Sequence, residues 1–168
     1  MNTKYPIILV HGIIIKDIKF IKSFGNIDRI LKIQGHHVYK SNVDGVGTIE
    51  NNASMLKEEI LSILEKEKVD KVNIIAHSKG GLDSKYMIQQ LGMEDHVASL
   101  TTLCTPHKGS PIAENILKLP KWILKFIAFW VNLVYKIFGD KHPDSLKVCE
   151  QLSPVNSYLT ETISISDK

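Results

Sequence analysis

Residues 6–11 run Pro-Ile-Ile-Leu-Val-His, an apolar stretch without alternation, which predicts a strand buried on both faces of a parallel sheet. His11-Gly12 ends it. From Phe20 the period changes: Phe20, Phe24, Ile27 and Leu31 recur at helical spacing, and Gly35 stands where a C-terminal cap belongs. Residues 37–43 read as a second strand, closed by an Asp44-Gly45 turn. Ile49, Ala53, Leu56, Ile60 and Ile63 mark a second helix that ends in the charged Glu65-Lys66-Glu67-Lys68. Residues 71–76 predict a third strand, 81–91 a third helix, and the β-branched, apolar 97–104 a fourth strand. Strands alternating with helices of this length predict βαβ units and an α/β fold with a mainly parallel sheet. The first and third strands are expected as neighbours, with the second outside the first and the fourth as an exposed apolar edge.

The pattern then changes character. Residues 105–111 form a loop by their Pro and Gly content, and 116–138 is the most apolar part of the chain. Its polar members, Lys118, Lys121, Lys125, Asn132 and Lys136, fall within about 60° of one another on a helical wheel. The remaining face, with Trp122, Phe126, Phe129, Trp130, Val134 and Phe138, is too wide for one sheet to cover. A membrane span is disfavoured, because the uncharged run 126–135 is about half the ~20 residues that spanning requires. A mobile cover over an apolar site, or a helix lying in a lipid interface, fits the pattern better. Residues 144–152 predict one more short helix, and 156–165 have the composition to begin another strand.

Composition narrows the classes further. The 168 residues suffice for one domain with a substantial core. The 21 basic and 18 acidic residues are scattered, so the net charge of +3 comes from no basic block and points to no nucleic acid. Cys104 and Cys149 supply neither a disulfide framework nor metal spacing, and no metal or other cofactor is expected. The stretch ahead of the first strand has no leader-peptide pattern, so the expected location is cytoplasmic, with membrane association through 116–138.

Candidate chemistry sits at the third strand's end. Ala76-His77-Ser78-Lys79-Gly80 has the spacing of a nucleophile elbow, with Ala for the first Gly of G-x-S-x-G. Small residues two positions either side of Ser78 let strand and helix pass closely while the hydroxyl stands at the sheet's carboxyl end. The bland alternative is an ordinary strand-to-helix turn. A second motif lies where the chemistry needs it. An acyl-transfer site requires donors for an oxyanion. The N–H of Lys79 is one candidate, and the N–H of Ile13, after the strand that ends at His11-Gly12, is the other. With the expected strand order, both fall at the topological switch point, where open α/β sheets bind ligands.

Together, residues 6–12, 75–83 and 105–110 resemble the bacterial triacylglycerol lipases and esterases of the α/β-hydrolase superfamily. The likeness extends over nearly the whole chain. It implies an α/β-hydrolase-like three-layer sandwich of one partial domain, 1–168, with about four strands and a lid at 113–140. It also implies a serine ester hydrolase that cleaves carboxylic esters of lipids through an acyl-enzyme on Ser78. Ile13 and Lys79 would form the oxyanion hole, and Gly12 would allow close approach. The family's triad continues Ser, then Asp or Glu, then His, on loops after further strands. No such pair of loops follows Ser78 here, so the expectation is a chain lacking the C-terminal strands, with the acid and base unassigned and activity of this chain alone in question. His11, His77, His96, His107 and His142 have better readings as packing or loop residues. Two alternatives stand: a thioesterase of the same fold, and a non-catalytic remnant that binds lipid or membrane surfaces through 116–138.

Overall fold

The computed structural model describes residues 3–13 and 24–155. Among these residues, four strands, β1 (Ile7–Val10), β2 (Val38–Lys40), β3 (Val72–His77) and β4 (Val97–Leu103), form one parallel sheet in the order β2-β1-β3-β4. Ile7 lies opposite Val38 on one side and Asn73 on the other, and Ala76 opposite Thr102. Chain order reverses between β1 and β3, as the sequence predicts, so the carboxyl ends of these two strands frame the switch point.

Helices cover the faces unequally. α2 (Ile49–Glu67) and α3 (Lys79–Gln90) cover one face, where Ile8, Val10, Val72, Ile74 and Ala76 pack on Ala53, Leu56, Ile60, Leu64 and Met87. The opposite face carries a smaller cluster in which Ile7, Leu9 and Val38 meet Phe24, Leu31 and Ile75, beside α1 (Ile27–Ile33). β3 records the difference: Val72, Ile74 and Ala76 are buried, while Asn73, Ile75 and His77 are only half-buried. Among the described residues β4 is the edge, and its exposed positions are Ala98, Ser99, Thr101 and Leu103. This edge is more polar than its apolar run suggests.

The period-based boundaries hold with local shifts. α1 starts at Ile27, inside the helix predicted from Phe20, whose positions 20–23 lie outside the described residues. It ends as a Schellman motif: Gly35, at φ 88°, donates to the Lys32 carbonyl and His36 to that of Leu31. β2 is shorter than the predicted 37–43. Beyond Lys40 the chain turns away to build the 41–47 loop instead. α3 begins two residues earlier than predicted, because Ser78 itself occupies the N-cap position.

The segment after β4 forms two helices. α4 (Pro111–Leu117) and α5 (Lys121–Ile137) are separated at Pro120, which lacks an N–H and disfavours helical geometry at Leu119. α6 (Ser145–Leu152) follows, started by Asp144, whose carboxylate accepts the Lys147 N–H at 3.0 Å. Ala113, Val148 and Leu152 pack against Ile49 and Leu82, so α4 and α6 sit on the amino ends of α2 and α3. The predicted strand within 156–165 lies outside the described residues.

Leu56 is wholly buried between α2 and the sheet. Leu56→Ala is expected to cost about 3 kcal/mol in urea unfolding. Ile33→Ala, at a position 74% exposed, should change stability by less than about 0.5 kcal/mol.

Candidate active site

Ser78 follows the last residue of β3 and caps α3, with φ 53° and ψ −129°. An L-residue reaches positive φ only at an energetic cost, so the surroundings must hold it there. They do so from three sides. The Ser78 N–H donates to the Leu103 carbonyl at 2.8 Å, which ties the elbow to β4. The Ser78 carbonyl accepts the Gly81 N–H at 3.1 Å and the Thr105 hydroxyl at 2.8 Å. Thr105 therefore braces the elbow from the loop after β4.

The small residues around Ser78 are explained by close approach. A Cβ on Gly80 would collide with the His11 carbonyl oxygen and lie 2.7 Å from that of Val10. A Cβ on Gly81 would run into the Thr105 side chain. A Cβ on Gly12 would lie 2.7 Å from the Ser78 Cβ, 2.9 Å from the His77 carbonyl oxygen and 3.0 Å from the Lys79 nitrogen. Gly12, Ser78 and the backbone N–H of Lys79 thus share one small volume at the carboxyl end of the sheet. As the first residue of α3, Lys79 has no intrahelical acceptor for that N–H, which also lies at the positive end of the helix dipole. Ile13, the other expected donor, directly follows Gly12 and is exposed.

The histidines lie elsewhere. His77 points to the opposite face of the sheet, edge-on to Phe24 at 6.2 Å. His11 Nδ1 is 2.8 Å from the Gly12 carbonyl oxygen, and His96 Nδ1 3.1 Å from that of Asp70. His107 Nε2 lies 3.2 Å from the Thr102 hydroxyl on β4, and burial, reinforced by Lys85, lowers its pKa from the ordinary histidine value. The His142 N–H donates to Asp44 at 2.7 Å. Among the described residues, none forms a hydrogen bond with the Ser78 hydroxyl.

A family model for the PGAP1-like alpha/beta domain matches residues 36–134, which include β3, the elbow, α3, β4 and most of α5. The chain belongs to that family. Its relatives include triacylglycerol lipase 2 of Saccharomyces cerevisiae, 34% identical over 137 residues, or 73% of this chain and 42% of that protein. A triacylglycerol lipase of Pseudarthrobacter phenanthrenivorans is 33% identical over 151 residues, covering 83% of this chain and 46% of that one. The chain thus spans less than half the length of either lipase. The Bacillus licheniformis lipase BlEst2 in mature form superposes with a TM-score of 0.61 at 24% identity, over 89% of this chain and 55% of that one. The metagenomic carboxyl esterase MGS0156 gives 0.67 at 17% identity, over 89% and 42%. The fold is that of the α/β-hydrolases, as the sequence resemblance implies.

Sequence reasoning missed the support behind the elbow. The Lys79 side chain is only 1% exposed and its Nζ lies 2.6 Å from Asp83 Oδ1. Asn52 Nδ2 donates to Asp83 Oδ2 at 3.0 Å. Burial pushes the Asp83 carboxyl up, against the Lys79 ammonium and the Asn52 amide, which favour its ionised form. Two signals were available: Asn52 stands three residues after Ile49, on the apolar stripe of its helix, and Lys79 and Asp83 are four apart.

Proposed function

We propose that this chain carries the nucleophile and oxyanion hole of a serine ester hydrolase acting on carboxylic esters of lipids, acylglycerols among them. Ser78 attacks the ester carbonyl and forms an acyl-enzyme as the alcohol leaves, and water then releases the acid. The N–H groups of Lys79 and Ile13 stabilise the oxyanion of each tetrahedral intermediate. The observation that carries this reading is the strained Ser78 backbone, braced on three sides with Gly12 against it. Strain kept in place by its surroundings is characteristic of functional sites, whereas an ordinary strand-to-helix turn has no need of it. The names of the lipase relatives agree. The base and acid stay unassigned, because no described histidine hydrogen-bonds the Ser78 hydroxyl. The direct test is hydrolysis of short- and long-chain nitrophenyl esters by the full-length protein, with and without Ser78.

The lipid preference rests on α4 and α5. Trp122, Phe126, Phe129, Trp130 and Ile137 are all more than half exposed, and Ile112 of α4 is 73% exposed. Lys121, Lys125 and Lys136 border this apolar surface on one side of α5. Such a helix lies in a lipid interface rather than in water. Among the described residues, no helix is long and apolar enough to cross a membrane. We read α4 and α5 as the lid of the site, expected over 113–140. Trp122 and Trp130 are the two tryptophans of these 168 residues, so the fluorescence of this chain by itself reports on this surface. Adding phospholipid vesicles should shift their emission to the blue, and Phe126→Asp should weaken that response. Emission unchanged by vesicles counts against the interfacial reading.

The same surface supports a second reading, a protein that binds lipid surfaces without turnover. Vesicle co-sedimentation without labelling of Ser78 by a fluorophosphonate would favour it.

A further inference from the structure

The residue that carries the proposed oxyanion donor is anchored through its buried side chain. Lys79 folds back along α3 to Asp83, with both side chains 1% exposed. Asp83 is held from α2 by Asn52, whose amide donates to Asp83 Oδ2 at 3.0 Å and to the Asp44 carbonyl at 2.8 Å. The Asn52 Oδ1 accepts the Asp44 N–H at 3.2 Å, so both its amide hydrogens and its oxygen are engaged. The Asp44 carboxylate in turn accepts the N–H groups of Lys141 and His142 at 2.8 and 2.7 Å. A continuous polar line therefore runs from the elbow through α3 and α2 to the turn that follows α5.

Stability alone is a poor account of this arrangement. A buried ion pair often contributes no more than well-packed apolar residues of similar volume. A lysine in the first turn of a helix also stands at the wrong end of the helix dipole. What a buried polar network adds over an apolar core is direction, because hydrogen bonds fix angles and dispersion contacts do not. The group most in need of direction here is the Lys79 N–H, whose nitrogen faces the space above Gly12.

We propose that Asp83, through Lys79 and with Asn52 as its strut, is a positioning residue that fixes the first turn of α3 and so aims the Lys79 N–H into the oxyanion hole. Its catalytic consequence rests on the acyl-transfer reading of Ser78, but the placement of the turn can be measured without turnover.

The test compares the full-length wild type with K79M/D83L, which removes both charges while keeping volume, and with Asn52→Ala, which leaves the ion pair but removes its strut. Melting temperature serves as the check on folding. In K79M/D83L, kcat for a soluble nitrophenyl ester should fall at least about tenfold with KM within about twofold, because a misaimed donor acts in the transition state. Hydrogen exchange at the Gly81 amide, which bonds the Ser78 carbonyl in the first turn, should quicken by about tenfold or more in both variants, while amides 87–90 at the far end of α3 stay within about twofold. A K79M/D83L protein that folds and keeps kcat within about twofold overturns the proposal. So does unchanged exchange at Gly81 in whichever variants fold. If the wild type shows no Ser78-dependent hydrolysis, the acyl-transfer reading fails separately and the exchange result alone decides the positioning role.

Discussion

Ser78→Ala is expected to remove at least about three orders of magnitude from kcat of the full-length protein on nitrophenyl esters and to abolish labelling by a fluorophosphonate. The reason is the elbow's geometry. With φ at 53° and the carbonyl held by Gly81 and Thr105, the backbone presents one side chain at the end of β3, and only its hydroxyl can attack. Alanine keeps the backbone strain, so the fold should survive with a stability change of about 1 kcal/mol or less. Ser78→Gly is the sharper companion. Glycine accepts positive φ without the Cβ penalty, so this variant should be as inactive as Ser78→Ala but more stable than it by roughly 1 kcal/mol. A gain in stability on deleting the nucleophile would show that the strain serves chemistry rather than folding. Activity retained in either variant would sink the assignment of Ser78.

Gly12→Ala is expected to cost at least about a hundredfold in kcat and about 1–3 kcal/mol in stability. The added Cβ would meet the Ser78 Cβ at 2.7 Å and the His77 carbonyl oxygen at 2.9 Å. One is fixed to the strained turn and the other is backbone, so neither yields as the tip of a flexible side chain would. The 11–13 loop must back away from the elbow, and the Ile13 N–H moves with it. A loss confined to KM would point instead to substrate access, and wild-type kcat would exclude the loop from the oxyanion hole. Urea unfolding of the same variant separates misplacement from unfolding.

Both predictions rest on positions that stand out in the sequence, and the reason is physical. Chain reversal between a buried strand and a helix leaves no space for a Cβ at Gly12 and Gly80, so the close approach is written as composition. The strand order followed from the βαβ alternation. The division of the apolar segment was equally legible at Pro120, but a wheel drawn through 116–138 treats it as continuous and hides the break. Thr105 lay inside a motif without revealing that its hydroxyl holds the Ser78 carbonyl. Lys79 and Asp83 gave the weakest signal, since an i,i+4 ion pair is far more often a solvated one.

The sequence by itself determined the α/β class, the positions of the strands and main helices, the elbow at Ser78 and its approach by Gly12. Each follows from local periodicity, from a residue too small to be replaced, or from a turn only certain side chains permit. Tertiary structure alone decided that the Lys79 ammonium points inward, that Asn52 and Asp44 link the elbow to the turn after α5, and that α5 leaves its aromatic face uncovered. Those facts depend on which distant segments meet. A buried polar group reveals its role only through the partners that satisfy it, and residues 44, 52, 83 and 141 become neighbours only when the chain folds.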